Sequence, residues 1–315
     1  MRQPFRSARP YRSMLYVPGH KLDWIRKAPR YGADAYIYDL EDAVPIGEKP
    51  AARAATETGL AELAGEPFGR FVRINGWHTG QTLADLTAVV RPGLDGVLLP
   101  KVEDVDDVVA LDRLLEELEC QRGIELGRVE IFPLCETALS MYRHFDICRA
   151  SERVVRTTSA VLAVPGDQTR AMGVHLSGGL GEETVLVNGR AGLEARAAGV
   201  HQMTGGMTTT IGDLGLVREL AERSKALGAT GSMSIHPSHV PVHNEVFSPS
   251  AAEIDRARAV MVAMASAVER GDAAVQLDGE MVDYAHVRES LDLLRSAQAF
   301  GLAVGEYPDV PVLSY

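Results

Sequence analysis

Three carboxylates crowd into four positions directly after an apolar run: Tyr36-Ile37-Tyr38 leads into Asp39, Glu41 and Asp42. The run is β-branched and aromatic with no turn residue inside it, the pattern of a buried strand. Acids gathered at one strand end repel each other, and burial raises the cost. Two arrangements accommodate them. One is a solvated strand-to-helix turn in which the acids cap the helix. The other is a site for a cation or for catalysis.

Other polar residues arrive in the same way. Arg73 and Asn75 close the stretch GRFVRIN, Lys101 follows VLLP, Glu136 follows PLC, Asp167 follows AVPG and His236 follows SMSI. Glu136 and Asp167 are hard oxygen donors of the kind that suits Mg²⁺, which takes one or two carboxylates and keeps its other positions for water and substrate. A cation there would offset the repulsion at the first cluster, with Asp39, Glu41 or Asp42 orienting metal-bound water. A helix cap or a surface ion pair is the competing role for both acids. The planar fork of Arg73 matches a carboxylate or an oxyanion, and a salt bridge to one of the acids would satisfy it as well. Lys101 and His236 are open to structural and functional roles alike.

These residues need elements to hold them together. Short apolar runs alternate with helical patterns at a spacing of about 30 residues, the length of one strand–helix unit. Strands are expected at 13–19, 34–40, 69–75, 96–102, 129–136 and 159–166, with a weak seventh at 206–212 and an eighth at 231–237. Helices are expected at 22–32, 48–63 and 108–119 among others, and a long one at 251–271. Eight alternations predict a closed (β/α)8 TIM barrel with a C-terminal helical extension. A doubly wound open sheet is the alternative, disfavoured because no GxGxxG follows the first strand. The expected division is a catalytic barrel over 1–250 and an extension over 251–315. The stretch SGGLGEE (177–183) reads as a loop. In such a barrel the C-terminal strand ends form the active face, and every residue singled out above sits at one.

Composition sets the outer bounds. The 315 residues are 46% hydrophobic and 24% charged, ordinary for a globular protein, and the net charge is −11. Such an acidic chain is a poor match for nucleic acid, which demands concentrated Lys and Arg. The three cysteines, Cys120, Cys135 and Cys148, fit no zinc spacing and read as reduced thiols of a cytoplasmic protein. No apolar run is long enough for a membrane span, and MRQPFRSARPYRS lacks the apolar stretch of a secretory signal.

The order of RSMLYVPG, ADAYIYDLEDAV, RFVRIN, VLLPKVE, CET, IHPSHV, FSPS and GEMVD resembles the citrate lyase β-subunit-like and malyl-CoA lyase family, in the HpcH/HpaI aldolase superfamily. DLEDAV and the IHP…N…FSPS run carry most of that resemblance, which spans roughly 11–300. It implies a barrel that makes or breaks a carbon–carbon bond, between a 3-hydroxyacyl-CoA (malyl-, citramalyl- or citryl-CoA) and an acyl-CoA plus a 2-oxo acid. It implies Mg²⁺, or Mn²⁺ in its place, held by Glu136 and Asp167. Arg73 becomes the group facing the oxo acid and the developing oxyanion. Asp283, in GEMVD, becomes an acid/base delivered by the C-terminal segment to a neighbouring subunit of a trimer or hexamer. Arg12, Lys21, Lys27 and Lys101, with Arg26 nearby, become candidate contacts for substrate and coenzyme A. The chain departs from the family pattern at VPGDQTRAMG, at Gly231-Ser232-Met233 and at HQMTGG, which leaves the acyl chain open. A thioesterase or a CoA-independent aldolase on the same site, and a non-catalytic subunit of a larger lyase complex, are the alternatives.

Overall fold

A computed structural model of the chain describes residues 9–159, 166–175, 182–204 and 207–311. It divides into two compact units, residues 2–247 and 248–315.

The larger unit alternates strand and helix. Its first half runs β1 (Ser13–Pro18), α1 (Leu22–Lys27), β2 (Ala35–Asp39), α2 (Lys49–Glu62), β3 (Gly69–Arg73), α3 (Thr82–Val89), β4 (Gly96–Leu99), α4 (Val105–Arg122) and β5 (Glu130–Pro133). Then follow α5 (Ala138–Tyr142), α6 (His144–Arg149), β6 (Arg156–Thr157), α7 (Asp167–Met172), α8 (Val185–Ala198), β7 (His201–Gln202), α9 (Leu214–Ala226), β8 (Ser232–Ser234) and α10 (Val240–Val246). Six strands form one parallel sheet in the order β5-β4-β3-β2-β1-β8, and β6 pairs with β7 in a second parallel ladder. Backbone bonds run between the two ladders on both sides. Cys135 N donates to Thr158 O at 2.8 Å, and Thr230 N donates to Gln202 O at 2.8 Å.

Two apolar layers explain why these strands read as continuous hydrophobic runs. Successive side chains on a strand point to opposite faces. Leu15, Val17, Tyr36, Tyr38, Val72, Val97 and Ile131 belong to a layer that also holds Ile25, Leu60, Leu86 and Leu115 from the helices. The alternate positions Met14, Ala35, Ile37, Phe71, Leu98 and Phe132 pack with Met203 and Met233 in a second cluster on the opposite face. Fully burying each large apolar side chain contributes about 1.5–3 kcal/mol. Helix boundaries follow local chemistry: α4 starts at the capping box of Asp104 and Asp107 and ends at Gly123 in the left-handed region.

One strand expectation is revised, and another falls largely outside the described residues. Residues 207–212 form no strand; the seventh is His201–Gln202, immediately after α8 stops at left-handed Gly199. The sixth is Arg156–Thr157, earlier than expected, and residues 160–165 lie outside the described residues. Both strands were disguised by buried polar side chains. Arg156 is fully buried, paired with Glu130 at 2.8 Å and stacked 4.4 Å from the Tyr11 ring, and His201 is also buried. The 177–183 loop lies largely outside the described residues.

The smaller unit holds α11 (Ala251–Glu269), an antiparallel hairpin of β9 (Ala274–Leu277) and β10 (Glu280–Asp283), and α12 (Tyr284–Ala299). Ile254, Met261, Met264, Val287 and Leu294 form its own apolar core. All three cysteines are free thiols. Among the described residues no helix is long and apolar enough to cross a membrane.

Candidate functional site

Strand parity selects the site. Asp39 is in phase with Ala35 and Ile37, Arg73 with Phe71, and Glu136 with Phe132 and Leu134, so each sits on the face that carries the second apolar cluster. All three line a cavity of about 280 Å³ at the C-terminal strand ends. Tyr16, Leu134, Met207, Met233 and Ile235 supply its apolar wall, and Thr158 and Gln168 add neutral polar groups. Gly19 closes β1 beside it. A Cβ there would lie 2.7 Å from Asp39 O, so only glycine fits so close to the β2 backbone.

The acids of the opening cluster take separate tasks. Asp39 is buried and binds Arg73 through both oxygens, Nε to Oδ1 at 2.7 Å and Nη2 to Oδ2 at 2.6 Å, while accepting from the backbone N–H of Glu41 and Ala43. Glu41 lies 3.1 Å from Arg73 Nη1 and 2.9 Å from Lys101 Nζ. Asp42 is exposed, 3.9 Å from the same Nζ. Lys49 Nζ donates to the carbonyls of Leu40 and Glu41 and fixes the turn. Arg73 therefore takes the ion pair and still lines the cavity.

Lys101 gathers the remaining acids. Its backbone N donates to Glu136 Oε1 at 3.1 Å, and its Nζ lies 3.7 Å from Asp167 Oδ2. It holds φ at +52°, a left-handed conformation uncommon outside glycine. Such strain is tolerated where surrounding contacts enforce it. Glu136 and Asp167 thus both reach Lys101, the first at its backbone N and the second at its Nζ. Burial, then the neighbouring Glu41 charge, pushes the Glu136 carboxyl up to about 7, against the pull of Arg73 and Lys101. Burial also raises Glu41. Burial acts to lower Arg73, but Tyr16, Asp39 and Glu41 together hold it well above its usual value. Five carboxylates thus face two cations, and Glu136 keeps its proton to a higher pH than an ordinary carboxyl. That donor set, all hard oxygens, fits a divalent ion such as Mg²⁺. Among the described residues no group of three or more His, Cys, Asp or Glu is arranged to hold a metal, so an ion here would rely on few protein ligands.

Other expected residues fall elsewhere. Arg12 precedes β1, at the N-terminal strand ends, and its guanidinium forks onto Asp34 at 2.9 and 2.7 Å. The six-residue β1 separates it from the cavity by about 17–20 Å, so the structure does not bring it to this site. Lys21 precedes α1 on the cavity end of β1, and Lys27 ends α1; both are exposed. Arg26 pairs with Glu62 at 2.7 Å. His236 caps the short turn Pro237–His239, its Nδ1 2.7 Å from Ser238 Oγ. In the smaller unit Asp283 is the N-cap of α12, accepting from Ala285 N at 2.8 Å and meeting His286 Nδ1 at 2.9 Å. That contact with His286 holds its carboxyl below the usual range. Tyr16 was missed in the sequence. Its parity with Met14 was the available signal, masked by the apolar reading of SMLYVPG.

The family model for HpcH/HpaI aldolase/citrate lyase matches residues 12–237, a span that contains every element lining the cavity. The chain belongs to the HpcH/HpaI aldolase/citrate lyase family. Among curated members it is 30% identical over 295 residues to the citrate lyase subunit beta of Leuconostoc mesenteroides subsp. cremoris, covering 94% of this chain and 96% of that one. It is 31% identical over 294 residues to a (3S)-malyl-CoA thioesterase of Cereibacter sphaeroides, covering 93% and 96%. Among solved structures it resembles the CitE protein of Mycobacterium tuberculosis in complex with magnesium, acetoacetate and coenzyme A. The TM-score is 0.69 at 27% identity, over 93% of this chain and all of that one. This HpcH/HpaI family member therefore shares its fold with a protein crystallised with both a metal ion and coenzyme A.

Proposed function

We propose that the protein is a divalent-metal-dependent carbon–carbon lyase that joins or splits a 3-hydroxyacyl-CoA to or from an acyl-CoA and a 2-oxo acid. The observation that carries this reading is the approach of both Glu136 and Asp167 to Lys101, with Glu136 also lining the cavity beside Arg73. Glu136 and Asp167 would hold Mg²⁺, which supplies Lewis-acid polarisation of the oxo acid and a template for it. Arg73, its fork locked by Asp39, presents a fixed positive group toward an oxygen that gains charge as the bond breaks. One such preorganised donor contributes about 3–4 kcal/mol to the transition state. The apolar wall excludes water from the enolate of the leaving thioester. Asp283 would exchange the proton at that carbon, delivered by the 251–315 extension to a neighbouring subunit of a trimer or hexamer. Lys21, exposed at the cavity end of β1, and Lys27, exposed at the far end of α1, would meet the phosphates of coenzyme A. The backbone bonds at Cys135–Thr158 and Gln202–Thr230 support reading the strands as a closed (β/α)8 barrel over 1–250.

The test is direct. Purified protein with Mg²⁺ is offered acetyl- or propionyl-CoA with glyoxylate, pyruvate or oxaloacetate, and the products are separated by chromatography. A new hydroxyacyl-CoA is expected, lost on chelation with EDTA. No product with any pair would overturn the reading. A thioesterase is the second reading, favoured by the likeness to the (3S)-malyl-CoA thioesterase; it would release free coenzyme A together with a free hydroxy acid and no oxo acid.

A further inference from the structure

Tyr16 differs from the charged groups of the cavity, Asp39, Arg73 and Glu136, in how weakly its polar atom is held. Arg73 is engaged by Asp39 and Glu41, and Glu136 accepts from Lys101 N. The Tyr16 ring lies under the Arg73 guanidinium, 5.0 Å from its central carbon to the ring centroid. Its Oη meets Met233 Sδ at 3.5 Å and has no other hydrogen-bond partner among the described residues. A thioether is a weak acceptor, so most of the value of that donor is unused. Burial pushes the phenol well up, and Asp39, Glu136 and Glu41 push the same way against Arg73. It therefore stays protonated, a neutral donor amid carboxylates.

A ligand oxygen is the natural acceptor for such a donor. No carboxylate of the site has turned to it, although Asp39 and Glu136 line the same cavity. We propose that Tyr16 binds substrate: its hydroxyl turns from Met233 Sδ to donate to an oxygen of the bound 2-oxo acid, while its ring supports Arg73 from below. This rests on the lyase reading of the cavity and adds a contact to it.

Tyr16→Phe removes the hydroxyl and keeps the ring, so Arg73 stays stacked and the fold is preserved. The full-length protein is titrated by calorimetry with pyruvate, glyoxylate and oxaloacetate in Mg²⁺, and separately with Mg²⁺ alone. We expect Tyr16→Phe to bind the oxo acid about tenfold more weakly than wild type, the loss of one hydrogen bond to a charged ligand. Its affinity for Mg²⁺ alone should be unchanged. Equal oxo-acid affinity in the two proteins would overturn the inference and leave the lyase reading standing. A parallel fall in Mg²⁺ affinity would also overturn it, because the hydroxyl would then be supporting the acid cluster. If wild type binds none of the three acids, this inference and the lyase reading fall together.

Discussion

Arg73 and Asp39 meet through two parallel hydrogen bonds, at 2.7 and 2.6 Å, from adjacent strands whose ends are in register. The pair is nearly dry, with side-chain exposures of 15% and 2%. Removing one partner of a buried pair leaves the other charge uncompensated. Asp39→Ala should therefore destabilise the protein by about 3–5 kcal/mol in urea unfolding. Arg73→Lys keeps the charge but loses the fork, and turnover should fall about a hundred- to a thousandfold in the lyase assay.

Glu136 gives a pH signature. Its folded value of about 7 stands above its ordinary 4.5, so the folded state binds more protons than the unfolded state between those limits. Stability from this group is present at low pH and is lost as pH rises from 4.5 through 7. Glu136→Gln removes the effect. Without added metal, the variant should match wild type near pH 4 and exceed it above pH 7.5, by on the order of 1–3 kcal/mol. Urea midpoints across that range check it; identical curves would show that the carboxyl is not strained.

His201 gives the opposite sign. Burial, then the charges of Arg156 and Arg196, press its value down to about 3. The unfolded chain binds the proton first as pH falls below 6.5, so stability is retained above 6.5 and lost downward toward 3. At pH 5 the residue should cost wild type on the order of 2 kcal/mol relative to pH 7. In thermal scans His201→Gln should show a shallower decline over that interval.

Asp283 separates a cap from a catalyst. Asn caps helices as well as Asp does, so Asp283→Asn should leave the melting temperature within about 2 °C of wild type. An amide cannot carry the proton, and lyase turnover should fall by about a hundredfold or more. Full activity in this variant would confine Asp283 to starting α12.

Much of the site is written in strand periodicity. The inward phase of Asp39, Arg73 and Glu136 follows from counting two residues at a time from Ile37, Phe71 and Phe132, because side chains on a strand alternate faces whatever the fold. Their gathering at strand ends follows from strand–helix alternation, and the first five strands were legible within a few residues because their bodies are wholly apolar. Strands six and seven were not. Arg156 and His201 are buried where an apolar residue is expected, and Arg156 is met there by Glu130 and by the Tyr11 ring.

The sequence by itself determined which residue types end the first five strands and on which face they lie, since these depend on local geometry alone. The tertiary structure decided who meets whom. It chose Asp39 as the partner that locks Arg73, drew Glu136 and Asp167 to Lys101, tied Arg12 to Asp34 at the far end, and set Tyr16 beneath Arg73 with its hydroxyl on a sulfur. Those choices join residues 22 to 217 positions apart, and they rest on register between strands and on which charges burial forces to pair.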